Sequence, residues 1–280
     1  MEPQPASAAS VERLWRARMA GFLYPSDPAA LQGELERLSG PDRQPQQALG
    51  IVVPHSSLEW CGAVTGAVMA HAQIPRRCLA LGPNHTGYGA NWSVLGGGAM
   101  QTPLGEVAID EDLARTLQGL SPLLEGDEVA HVGEHAIEAL LPWLRWKGGV
   151  ELRIVPIVTR SDSFDEARQV AGALVKAVRQ VEESVLIVAS AEFGQFRPAD
   201  DVRAADARLL ESLSGLDARA FGDAVKDARV SMCGATVIAC ALEAVRQLGG
   251  TSARTMRYAT SADAGGDPYS STGYAGVILA

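Results

Sequence analysis

Two apolar runs of this chain end in a proline and then place a histidine: "GIVVPH" closes on His55, and "LALGPNH" closes on His85. Proline has no N–H to give a β-ladder, so each run reads as a strand that stops there. Each imidazole then stands at a strand exit, and in an open α/β sheet the carboxyl ends of the strands are where ligands bind. Glu192 follows a third apolar run, "VLIVASA". Cys233 precedes the helical run "GATVIACALEAV", where unpaired N–H groups and the helix dipole are expected to lower a thiol's pKa toward thiolate. Two neutral imidazoles and a thiolate can hold one divalent metal and leave positions open for substrate. The same residues also allow thiol nucleophile chemistry at Cys233 with a histidine as base and no metal. A plainer reading stands beside both, since a histidine at a strand end is more often a hydrogen-bonded cleft residue than a ligand.

Other patterns carry less. "GEHAIEALLPWL" reads as a helix with His135 and Glu138 on one face, open to a proton-relay role or to mere support of a cleft. It is not the HExxH zinc motif, because the second histidine is missing. Ser190 lacks the GxSxG elbow of α/β-hydrolases. Neither a strand followed by GxGxxG nor a GxxxxGK[ST] loop occurs, which removes support for dinucleotide and P-loop nucleotide binding.

The elements that must position these residues follow from pattern. The 280 residues are 47% hydrophobic, enough for a sizeable core. A net charge of −9 and the lack of any Lys/Arg run argue against a nucleic-acid partner. Four cysteines without CxxC spacing fit a reducing compartment. The first residues, "MEPQPASAAS", lack the basic and apolar regions of a signal peptide, and no apolar run reaches the ~18 residues of a membrane span. The expectation is a cytoplasmic protein with a flexible tail over 1–10 and one domain over 11–280. "VERLWRARMAGFLYP" reads as a short amphipathic helix, and "DPAALQGELERLSG" as a helix capped by Asp27 and closed at Gly40. Strands at "ALGIVVPH", "RRCLALGPNH", "ELRIVPIVT" and "SVLIVAS" alternate with helices, which predicts an α/β domain with a largely parallel central sheet flanked by helices.

Taken in order, "MAGFLYPSDPAAL", "VVPHSSLEWCGAV", "LGPNHTGYG", "TPLGEVAID", "EHAIEALLPWL", "VASAEFGQF", "MCGATVIACAL" and "YATSADAGGD" resemble the Memo family, whose bacterial and archaeal members are often labelled AmmeMemoRadiSam system protein B. The resemblance covers nearly the whole chain. It implies a fold like that of the class III extradiol dioxygenases, non-haem iron enzymes that open catechol rings. It also implies a metal held by His55, His85 and Cys233, with iron(II) first and copper or zinc as softer alternatives. Where the family usually has SxDFSHY this chain has "SAEFGQF", so Glu192 replaces an Asp and Gln195 replaces the His that would serve as general acid/base. Gln195 cannot titrate, which leaves Glu192 or His135 as proton donor. The cleft is expected to take a small-molecule substrate or a partner's peptide tail.

Overall fold

The protein is described by a computed structural model covering residues 13–41, 43–229 and 231–280. The tail expected over 1–10 lies outside the described residues. The strands are β1 (Leu14–Trp15), β2 (Gly50–Val53), β3 (Arg77–Pro83), β4 (Trp92–Val94), β5 (Ala99–Thr102), β6 (Gly105–Ile109), β7 (Leu124–Gly126), β8 (Arg153–Thr159), β9 (Val185–Ser190), β10 (Glu192–Gln195), β11 (Ser231–Cys233), β12 (Ala253–Thr260) and β13 (Gly273–Leu279). The helices are α1 (Pro28–Ser39), α2 (Leu58–Met69), α3 (Glu111–Leu120), α4 (Leu141–Gly148), α5 (Phe164–Val178), α6 (Ala199–Leu213), α7 (Ala218–Ala228) and α8 (Ala235–Gln247).

Strands β6, β8, β3, β9 and β2 lie side by side and parallel, and β13 and β12 extend that sheet antiparallel at one edge. Parallel strands need crossovers, and the helices between them cover both faces, which is why β2, β3 and β9 read as nearly unbroken apolar runs. Alternate side chains feed two cores. Val52, Leu79, Leu81 and Ile187 point to a face covered by α3, α5 and α8 through Leu117, Leu174 and Leu242. Ile51, Val53, Ala80 and Val188 point to the other, where Leu31, Leu35, Met69 and Trp143 of α1, α2 and α4 pack. The chain is a single α/β domain with a mostly parallel central sheet, as its pattern predicts.

Two local expectations are corrected. The segment expected as an N-terminal helix instead pairs Leu14 and Trp15 with Ala99 and Met100 of β5, in parallel, and then turns at Gly21. A free sheet edge satisfies those backbone groups, and Glu138 fixes the turn by accepting from Met19 N at 2.7 Å and from Tyr24 Oη at 2.8 Å. Around Glu134 and His135 the chain forms a turn rather than a helix, and helical structure begins only with a 3-10 turn at Glu138–Leu140 ahead of α4.

Candidate metal centre

The central strands β2, β3 and β9 all run in one direction, so their exits open at one end of the sheet. His55 leaves β2, His85 leaves β3, and Glu192 opens β10 with only Ala191 between it and the end of β9. The small antiparallel sheet of β10 and β11 then sets Cys233 directly across from Glu192. Gly234 makes this approach feasible. Its φ of +83° suits glycine, and a Cβ there would lie 2.8 Å from Ser190 O and from the Ala191 Cβ. The thiol therefore hangs beside the β9 exit before α8 starts. Gly82 does a similar service on β3, where a side chain would press on Ala136 and Ile137 of the turn that carries His135.

His55 is buried, and its Nε2 lies 3.3 Å from Cys233 Sγ. Its other nitrogen, Nδ1, lies 2.8 Å from Ser190 Oγ, and that hydroxyl donates to Ala136 O at 2.7 Å. With its proton committed to the carbonyl, Ser190 accepts from Nδ1–H, which leaves the Nε2 lone pair facing the sulfur. His85 donates Nδ1–H to Glu134 Oε1 at 2.9 Å, so its lone pair too is on Nε2. Glu134 also accepts from the backbone N–H groups of His85, His135 and Ala136. Burial alone would raise this carboxyl, but those bonds and the His85 ring outweigh it and hold it at about 2. Sequence pattern had no means of assigning the orienting roles of Ser190 and Glu134. The available signal was a hydroxyl ending a wholly apolar strand, which has to find a partner when buried.

Burial, reinforced by the neighbouring imidazoles of His85 and His135, holds His55 well below its usual pKa and thus in the neutral, ligating form. Burial likewise lowers His135, against the opposing Glu134 carboxylate. For His85 burial also works downward, yet Glu134 prevails and raises it. Glu192 is buried, and the loss of solvation lifts its carboxyl to about 7. Gln195 donates to Glu192 Oε2 at 3.1 Å and reaches Cys233 Sγ at 3.5 Å. The expected low thiol pKa is corrected: burial, and then the facing Glu192 carboxylate, push Cys233 up to about 12. A nearby cation is what would release that proton.

Ligand atoms of His55, His85 and His135 all lie within 4.8 Å of one another, and so do those of His55, Glu192 and Cys233. The structure thus brings His55, His85, His135, Glu192, Gln195 and Cys233 into one cleft. His55 belongs to both groups. His71 is elsewhere, just past the end of α2, with its Nδ1 bonded to Ala67 O of that helix. The donors fit a metal ion on chemical grounds: two imidazoles with oriented lone pairs, a thiol in contact with one of them, and a carboxylate.

A family model described as "Memo-like protein" matches residues 15–278. The chain belongs to the Memo family. Among its relatives, a MEMO1 family protein of Methanopyrus kandleri is 32% identical over 274 residues, covering 93% of this chain and 97% of that protein. Another, from Methanothermobacter thermautotrophicus, is 32% identical over 276 residues, covering 93% and 98%. A third, from Sulfolobus acidocaldarius, is 31% identical over 275 residues. The Memo fold thus spans essentially the whole described chain, cleft included. No described helix is long and apolar enough to cross a membrane.

Proposed function

We propose that this Memo protein is a mononuclear metal protein of the cytoplasm, with the ion bound at His55 Nε2 between His85 and Cys233, and that it serves oxidation of a small organic substrate. The observation that carries this reading is the pairing of an oriented His55 lone pair with the Cys233 thiol at 3.3 Å. Iron(II) is the first candidate, with copper or zinc next, because the sulfur softens an otherwise nitrogen-rich site. When bound, such an ion supplies Lewis acidity and a path for electrons.

The chain's own groups do the rest. Ser190 and Glu134 hold the imidazoles in the ligating tautomer. Glu192, with a carboxyl near 7, is poised to hold or release a proton at the cleft, while Gln195 orients it without titrating. The resemblance to extradiol dioxygenases supports an oxidoreductase. A second reading, metal retention without turnover, is favoured by the same Gln195, which occupies the expected acid/base position with a side chain that carries no proton to transfer. Thiol catalysis without metal is disfavoured by the raised Cys233 pKa.

The test is metal analysis of protein purified anaerobically without a His tag. Wild type is expected to carry or take up one ion per chain, and His55→Ala to fall to background. A wild type that refuses iron, copper and zinc, or a His55→Ala variant that keeps them, would defeat the reading.

A further inference from the structure

A cavity of about 280 Å³ lies beside β1, and none of His55, His85, His135, Glu192 and Cys233 lines it. Two polar atoms of its lining residues, Trp15 Nε1 and His131 Nε2, are buried with no hydrogen-bond partner among the described residues. His131 as a whole is only 8% exposed. Buried polar groups are bonded as a rule, so two orphans in the wall of one cavity point to a ligand that satisfies both.

The charges around the cavity are of both signs. Arg16 and Arg18 line it, are exposed, and form no ion pair among the described residues. Gly133, at φ +81°, leaves room for one of them: a Cβ there would stand 3.9 Å from Arg18 Nη1. Glu138 supplies the negative charge. Its Oε1 takes Met19 N and Tyr24 Oη, while Oε2 has no partner among the described residues. Glu134 lines the cavity too, but both its oxygens are engaged by His85, His135 and Ala136.

A simple anion would meet the Glu138 carboxylate, and a simple cation would meet two guanidiniums. A zwitterion answers both. Guanidinium groups pair with a carboxylate through parallel hydrogen bonds, and the indole N–H can only donate, which suits the same end of the ligand. Burial holds His131 down at about 4, against the Ser93 carbonyl, so its neutral ring can give or take one bond. Leu14, Met100 and Val132 add apolar wall. The volume lies just below the ~300–1,000 Å³ of pockets for drug-sized ligands, which limits the occupant to a few heavy atoms.

We infer that this cavity binds a free α-amino acid with a small apolar side chain, its carboxylate held by Arg16, Arg18 and the Trp15 N–H and its ammonium by Glu138 Oε2. The site shares no donor with the metal centre and does not rest on the metal reading.

Isothermal titration calorimetry of the full-length protein with L-alanine, L-valine and L-leucine is the test. At least one is expected to bind once per chain with a Kd below about 1 mM. N-acetylation of that amino acid removes its ammonium, and amidation removes its carboxylate. Each change should weaken binding at least about tenfold, as should Arg16→Gln/Arg18→Gln, because each removes charge-assisted hydrogen bonds. Both arginines are exposed, so the variant should melt as wild type does. The affinity should also survive chelator treatment, which separates this site from an amino acid bound to a metal ion. Absence of binding by all three amino acids would overturn the inference. So would analogues that bind as well as the parent, affinity that vanishes on chelation, or an arginine variant that binds as wild type does.

Discussion

Ser190 Oγ stands between His55 Nδ1, at 2.8 Å, and the carbonyl oxygen of Ala136, at 2.7 Å, and is wholly buried. One hydroxyl thereby fixes which nitrogen of His55 is free and ties the β9 exit to the turn that carries His135. Ser190→Ala would leave a buried N–H and a buried C=O without partners, each worth about 1–3 kcal/mol. The imidazole would also be free to change tautomer. We expect metal affinity to fall about 10- to 100-fold, with a lower melting temperature and an unchanged far-ultraviolet CD spectrum. Chelator competition reads the affinity, and a variant that binds as wild type does would show that the tautomer is set elsewhere.

Gln195 offers a gain-of-function experiment. It sits 3.1 Å from Glu192 Oε2, where family resemblance puts a titratable histidine. General acid/base groups typically contribute about 10²- to 10⁴-fold. Iron(II)-loaded Gln195→His should therefore consume oxygen with simple catechols at least about 100-fold faster than wild type under the same loading. Comparable rates in the two proteins would mean that proton transfer at this position does not limit the reaction.

The convergence of His55, His85, Glu192 and Cys233 was legible because prolines and apolar runs mark strand exits, and parallel topology brings exits together. His135 was singled out from its pattern with Glu138, as a proton-relay candidate or as support of a cleft, but its surroundings were misread. The three-residue spacing from His135 to Glu138 looked helical. In the structure the N–H groups of His85, His135 and Ala136 all go to the Glu134 carboxylate, so the turn is held by a side chain that periodicity does not register. Glu138 faces the other way, toward Met19 and Tyr24. The thiol of Cys233 was misjudged for a related reason. Proximity to a helix start is visible in sequence, whereas burial opposite a carboxylate depends on the pairing of β10 with β11, which brings together residues about forty positions apart. Likewise Leu14 and Trp15 carry a pattern compatible with a helix, and only the distant β5 edge makes them a strand.

Asp206 of α6 holds β10 from outside the cleft and should make the fold's stability depend on pH. Its carboxylate is fully buried and accepts from Gly194 N and Tyr258 Oη, both at 2.8 Å, with Gly194 lying between Glu192 and Gln195. Burial raises its pKa from 3.8 to about 6, against the opposing pull of those two bonds. Between those two values the folded chain binds more proton at this site than the unfolded one, so stability falls as pH rises through that window and is flat above it. At ~1.4 kcal/mol per pKa unit the loss is about 3 kcal/mol. Asn at this position keeps a carbonyl for Gly194 N and does not titrate. The difference in melting temperature between wild type and Asp206→Asn should therefore shift against wild type by about 6 °C from pH 4 to pH 7, at ~2 °C per kcal/mol for a chain of this size. Thermal denaturation across that range provides the measurement. A difference that stays constant, or moves in favour of wild type as pH rises, would show that Asp206 is ionised throughout and that its two hydrogen bonds outweigh its burial.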